Sequence, residues 1–343
     1  MLLLELLTLL LLTAVFLTWV ARQLRIPYPI VLVIGGAALG FVPGLPPMPF
    51  APSVLLAAVL PPILFDAAYQ ISFRDFKRQR RAIGLLAIGL VVATTLGMGL
   101  TLKWLLPEIP WAVAFAFGAV VSPPDAVTAT AIMSRLNVPR ALATTLKGES
   151  LLNDASGLVL YKFAIAAALT GAFSMTAAFV SFLVVAIGGV IVGIVVGVLR
   201  ERIDRRLKDT PVMIVFSFIV PYVAYLTSEQ LGVSGVLAVV TAGLIGARAA
   251  STAFNAEQRI MGRSTWEVAV ILLNSLVFIL MGSQLSVSLA VIPHHDLWQL
   301  LGYAGILGIA AIAIRMIWVF PGAYVPRMMA RWLGKKHVQF PPC

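Results

Sequence analysis

Apolar residues in this chain do not alternate with polar ones at the period of a surface helix or a half-buried strand. They come in continuous blocks separated by short breaks. A spanning helix needs roughly 20 mostly apolar residues. Eleven such segments can be marked, near 2–21, 27–45, 51–70, 83–106, 111–133, 141–170, 174–199, 211–228, 232–247, 264–285 and 297–326. Unbroken apolar runs argue against a transmembrane β-barrel, whose strands alternate. The pattern predicts an all-α polytopic membrane protein of about 11 transmembrane helices. The first block carries Glu5, has no basic lead-in and no small-residue cleavage site before Arg22. It therefore reads as the first spanning helix and not as a signal peptide.

Composition agrees: 60% of residues are hydrophobic and 11% charged, with mean hydropathy +0.99. A net charge of +11 could suggest nucleic acid, but the basic residues collect in connecting segments, as an orientation signal requires. With the N-terminus outside, 22 of the 25 Lys and Arg residues fall on the cytoplasmic side. The largest groups are expected as loops, one from Arg74 to Arg81 and one from Arg200 to Lys208. The expected location is the inner (plasma) membrane, and the expected partner is the lipid bilayer, not nucleic acid. The single cysteine, Cys343, rules out a disulfide framework. His294, His295 and His337 lie near predicted helix ends, which disfavours a histidine metal site. No cofactor is expected. Gly36 and Gly40, and Gly189, Gly193 and Gly197, recur every four residues and mark close helix contacts.

A charged side chain at mid-bilayer costs roughly 2.5–3.5 kcal/mol on insertion scales, so each one needs a reason. Embedded acids are Asp66, Asp125, Glu149, Asp154 and Glu267; embedded bases are Lys162 and Arg315. Asp125 follows Ser122-Pro123-Pro124, and two consecutive prolines should unwind the fifth segment there. Unwound backbone offers carbonyl oxygens, and an adjacent carboxylate completes a site for a hard cation. The sixth segment carries Gly148-Glu149-Ser150-Leu151-Leu152-Asn153-Asp154. Ser150 and Asp154 share a helix face at i, i+4. Oxygen ligands of this kind favour Na⁺ over soft transition metals. Asn153 could brace the unwound crossing. Asp66 follows Pro61-Pro62, which reads as another proline break. Arg315 sits in an apolar run and needs a carboxylate, with Glu149 the preferred partner.

These motifs resemble the NhaP/NHE-type cation:proton antiporters. The resemblance rests on Pro61-Pro62-Ile-Leu-Phe-Asp66, Val121-Ser-Pro-Pro-Asp125, Gly148-Glu-Ser-Leu-Leu-Asn153-Asp154, Leu231-Gly-Val-Ser-Gly, Leu273-Asn274-Ser275 and Arg315. It implies an inverted-repeat fold with unwound crossing helices and a homodimer. Asp154 would exchange Na⁺ (or Li⁺ or K⁺) for H⁺, with Asp125, Ser150, Asp66 and the Pro124 carbonyl as further ligands or near-ligands. Glu149–Arg315 would be a structural ion pair, and Asn153 before the aspartate suggests electroneutral 1:1 exchange. Segments 1–70 and 211–285 would form the dimerisation scaffold and 83–170 and 297–343 the moving core, with 174–199 linking them. Relatives of this type have about two further helices, so the chain reads as C-terminally incomplete. Alternatives are a K⁺/H⁺ antiporter, an inactive fragment, and an intramembrane protease using Gly232-Val233-Ser234-Gly235. No histidine is expected at depth to serve such a serine.

Overall fold

The computed structural model describes residues 2–42, 52–133, 136, 138–170, 175–207, 209–291 and 297–332. His294, His295, His337 and Cys343 lie outside the described residues, as do Arg135, Lys208, Lys335 and Lys336. The described residues form α1 (Leu2–Leu24), α2 (Tyr28–Gly40), α3 (Pro52–Tyr69), α4 (Phe73–Gly84), a π-helical turn (Leu85–Leu90), α5 (Val91–Leu105) and α6 (Trp111–Val121). They continue with α7 (Ala126–Met133), α8 (Arg140–Thr170), α9 (Met175–Asp204), α10 (Thr210–Gln230), α11 (Gly235–Ala253), α12 (Ala256–Val291) and α13 (Leu297–Trp332). Because α4, the π turn and α5 are one rod and α6 and α7 are two halves of another, these segments make eleven spans. Leu12, Ile34, Val184 and Ile309 point outward, as expected where lipid replaces water as the solvent. The chain is a multi-pass membrane protein.

Two apolar cores hold the rods together. One joins Leu64, Phe65 and Ala68 of α3 to Val236, Val239 and Val240 of α11 and Trp266 of α12. The Trp266 indole stacks on Phe218 at 4.2 Å between centroids and donates its N–H to Ser217 Oγ at 2.9 Å. The other core packs Leu10 and Ala14 of α1 with Leu32 of α2 and Ile279 and Leu280 of α12. Here the backbones nearly touch: a Cβ on Gly36 would strike the Ile279 carbonyl, and one on Gly282 would strike that of Val33. Between α9 and α11, Gly189 and Gly193 admit the carbonyls of Ser234 and Ala238 in the same way.

Three sequence expectations need correction. The basic segment 74–81 is not a loop but the body of α4. Ser72 caps it, accepting from the Asp75 N–H at 3.4 Å, and Lys, Arg and Gln are good helix formers. Arg200 is not in a loop either. It lies on α9 at 4% exposure, pairs with Asp204 at 3.1 Å, and spreads its guanidinium over Phe65 and Tyr69 at 5.0 and 5.3 Å. This aromatic cover from α3 is what allows α9 to continue through a cationic residue.

Finally, Pro61-Pro62 does not break α3, which runs unbroken from Pro52 to Tyr69. Pro62 leaves the Ala58 carbonyl without its helical donor. The Tyr222 hydroxyl of α10 donates to that carbonyl at 2.7 Å. A tertiary hydrogen bond thus replaces the lost local one.

Candidate ion site at a broken helix

The fifth span is broken where the sequence places two prolines. α6 ends at Val121 and α7 starts at Ala126. Ser122 turns back on α6, its hydroxyl donating to the Ala119 carbonyl at 3.0 Å. Asp125 caps α7: its Oδ2 accepts from the Thr128 N–H at 2.9 Å and from the Thr128 hydroxyl. The carboxylate therefore sits at the positive end of a half-helix. Thr128, absent from the sequence-level candidates, is the residue that fixes it. An Asp followed three residues later by Thr at a helix start is the signal that could have found it.

α8 lies against this break. Gly157 makes the approach possible, since a Cβ there would meet the Pro123 ring and the Ala119 carbonyl. One turn earlier stand Asn153 and Asp154. Glu149, Ser150 and Asn153 are buried and Asp154 is half-buried. Asp154 feels the charge of Asp125 from across the break, so the structure brings these two carboxylates into one electrostatic neighbourhood. The Asn153 Oδ1 is buried without a hydrogen-bond donor among the described residues. Pro124 is partly buried in the unwound stretch. From the other side, the Tyr28 hydroxyl at the start of α2 is hydrogen-bonded to the Asn274 side chain of α12 and lies within the field of Asp125. Tyr28 carries no sequence signal that would have singled it out.

Arg315 of α13 donates to Glu149 Oε1 at 2.5 Å. Glu149 is nearly inaccessible at 2% side-chain exposure, whereas Arg315 keeps 34%. This charge-assisted bond ties α13 to α8 at the residue next to Ser150, a little more than one turn before Asp154. Asp66 has different company. It accepts from Gln70 Nε2 at 2.7 Å, and the charges acting on it are those of Lys147, Arg263 and Glu267. Among the described residues no three His, Cys, Asp or Glu side chains converge as a cage for a metal ion. Lys162 pairs with Glu229 of α10 at 3.3 Å on an exposed surface. Ser234 is a helix cap: its hydroxyl accepts from the Leu237 N–H at 3.2 Å, after Gly232 turns the chain with φ +69°. Its Gly-x-Ser-Gly setting therefore has a structural explanation.

Three kinds of similarity accompany this geometry. The profile of the family described as "Sodium/hydrogen exchanger, transmembrane" matches residues 10–337. The "Sodium, potassium, lithium and rubidium/H(+) antiporter" of Bacillus subtilis (strain 168) is 36% identical over 307 residues, covering 86% of this chain and 45% of the relative. The "Uncharacterized Na(+)/H(+) exchanger YjcE" of Escherichia coli (strain K12) is 35% identical over 330 residues, covering 92% and 60%. The chain thus spans about half the length of the curated relatives it matches. Its fold matches the sodium proton antiporter MjNhaP1 of Methanocaldococcus jannaschii, solved at pH 8, with TM-score 0.74 and 21% identity over 99% of this chain and 81% of that one. A family profile that runs over nearly the whole chain, together with relatives more than 30% identical, places it: the chain belongs to the sodium/hydrogen exchanger family.

Proposed function

We propose that this protein is a secondary transporter that exchanges Na⁺, or Li⁺ or K⁺, for H⁺ across the inner membrane. One observation carries the reading: a half-buried carboxylate, Asp154, sits beside a helix unwound at Ser122–Asp125 and shares its field with a second carboxylate. Asp154 takes either a proton or a cation. Ser150 on the same face, Asp125 and the Pro124 carbonyl supply further oxygens. Asp66, grouped with Lys147 and Arg263, serves the approach path as a near-ligand.

Coupling needs only competition. A bare carboxylate is costly to carry through an apolar barrier, so the moving unit crosses when Asp154 is loaded with one ion or the other. Each loaded state is close to neutral, which suppresses leak and favours 1:1 electroneutral exchange, as Asn153 beside Asp154 also suggests. In this reading 83–170 and 297–343 move against a homodimeric scaffold of 1–70 and 211–285, with 174–199 linking them and the N-terminus outside. The Bacillus subtilis relative is named as an antiporter of potassium and rubidium as well as sodium and lithium, so K⁺/H⁺ exchange is the second reading.

The test is reconstitution in proteoliposomes with an imposed pH gradient, following internal pH as Na⁺, Li⁺ or K⁺ is added. Cation-dependent alkalinisation that disappears in Asp154→Asn supports the reading. Full exchange by Asp154→Asn removes it.

A further inference from the structure

The basic segment that turned out to be helical has two unlike faces. At about 100° per residue, Arg74, Lys77, Arg78 and Arg81 stand at i, i+3, i+4 and i+7, a single stripe, and all four are exposed. Phe76, Gln79 and Ile83 stand about half a turn away. Gln79 and Ile83 are buried, and Ile83 fits against Gly148 of α8. The only acid in α4, Asp75, lies off the stripe beside the cap. One side of α4 grips α8 and the opposite side is a row of four cations.

The height of this row matters as much as its charge. Phe73–Leu105 is one rod of 33 residues, about 50 Å long at ~1.5 Å per residue, against roughly 30 Å of hydrocarbon. The excess of about 20 Å matches the length of α4, so the stripe stands at headgroup depth. Basic ends of spans belong to the cytoplasmic leaflet, where anionic lipids concentrate beside clustered Lys and Arg.

We infer that α4 is a docking surface for the phosphodiester headgroups of anionic phospholipids in the cytoplasmic leaflet, taken up by Arg74, Lys77, Arg78 and Arg81. Planar guanidinium forks match phosphate oxygens in pairs. The stripe extends over about 10 Å of helix axis, a length suited to neighbouring lipid headgroups and too long for one free phosphate. Because α4 is packed on α8, bound lipid acts on the same body that carries Ser150 and Asp154. The inference rests on membrane placement and is independent of the ion-exchange reading, so either can fail alone.

Native mass spectrometry of the full chain in detergent tests it, counting retained phosphatidylglycerol against phosphatidylcholine of the same acyl length. A basic residue near an anionic surface contributes about fivefold in partitioning. The wild-type chain should retain phosphatidylglycerol at least about tenfold better, allowing for partial screening. R74Q/K77Q/R78Q/R81Q should lose most of that preference, and R74K/R78K/R81K, which keeps the charge but not the forks, should fall between it and the wild type. A control that neutralises exposed cations elsewhere, R202Q/R205Q/R206Q/R259Q, should also keep it. If the quadruple α4 variant does not fold, single Arg→Gln changes along the stripe should each lower the preference severalfold. The inference is overturned by equal retention of the two lipids by the wild-type chain, or by an unchanged preference in the α4 variants. It is also overturned by an equal loss in the control, or by millimolar inorganic phosphate displacing the lipid.

Discussion

Replacing either member of the Glu149–Arg315 pair should destabilise the protein, and the two replacements should differ in a defined order. The atoms meet at 2.5 Å, with Glu149 at 2% and Arg315 at 34% side-chain exposure. Arg315→Gln strands a carboxylate that has no access to solvent, the situation in which removing one partner of a buried pair costs about 3–5 kcal/mol. Glu149→Gln leaves a longer, partly exposed cation that can reach other oxygens, and it removes one charged hydrogen bond worth about 1.5–3 kcal/mol. The double variant, with two neutral amides facing each other, should cost less than the sum by about 1.5–3 kcal/mol. Thermal unfolding of the purified chain in detergent, followed by tryptophan fluorescence, measures all four corners of this cycle. Additivity within about 0.5 kcal/mol, or a greater loss from Glu149→Gln than from Arg315→Gln, would refute the pairing as the bond that ties α13 to α8.

Other parts of the structure give sharper yes-or-no outcomes. Tyr222→Phe should cost about 1–3 kcal/mol, because the Ala58 carbonyl loses the donor that replaces its helical one, and most of that cost should vanish in a Pro62→Ala background, where a helical N–H returns; equal costs in both backgrounds on thermal unfolding would contradict the account of α3. Arg200→Met should be strongly destabilising, about 3–5 kcal/mol, because Asp204 is left buried and unpaired. Combining it with Asp204→Leu should recover much of the loss in the same assay. Gly36→Leu should separate α2 from α12, which cross-linking of engineered cysteines on those two helices would report as a lost pair. Thr128→Val keeps the cap from the backbone N–H but removes the hydroxyl donor to Asp125. It should shift the cation dependence of exchange while leaving stability within about 1 kcal/mol.

The eleven spans and the break before Asp125 are legible because both are local. A twenty-residue apolar run has few alternatives in a bilayer, and two consecutive prolines remove two donors whatever surrounds them. The same local rule misleads at Pro61-Pro62, because the compensating hydroxyl comes from Tyr222, 160 residues further along the chain. Arg200 reads as a loop residue for a related reason. Nothing near it in sequence foretells that Phe65 and Tyr69 of α3 will cover its guanidinium. The segment 74–81 was dominated by its charge, although Ser72 with Asp75 three residues later is a readable start signal. At the site, Glu149, Ser150, Asn153 and Asp154 announce themselves as polar residues in an apolar span. Thr128 is readable as the capping partner of Asp125 three residues before it. Gly157 and Tyr28 are not, since a glycine that admits a proline ring or a phenol within the field of a carboxylate acquires meaning only when helices meet.

Competition between H⁺ and a cation for Asp154 can be measured without transport. Adding Na⁺ to the detergent-solubilised protein in weak buffer should release protons, at most one per chain, as the cation takes the carboxylate, and Asp154→Asn should release none. Cation binding by the native protein with no proton release, or undiminished release from Asp154→Asn, would contradict the central claim.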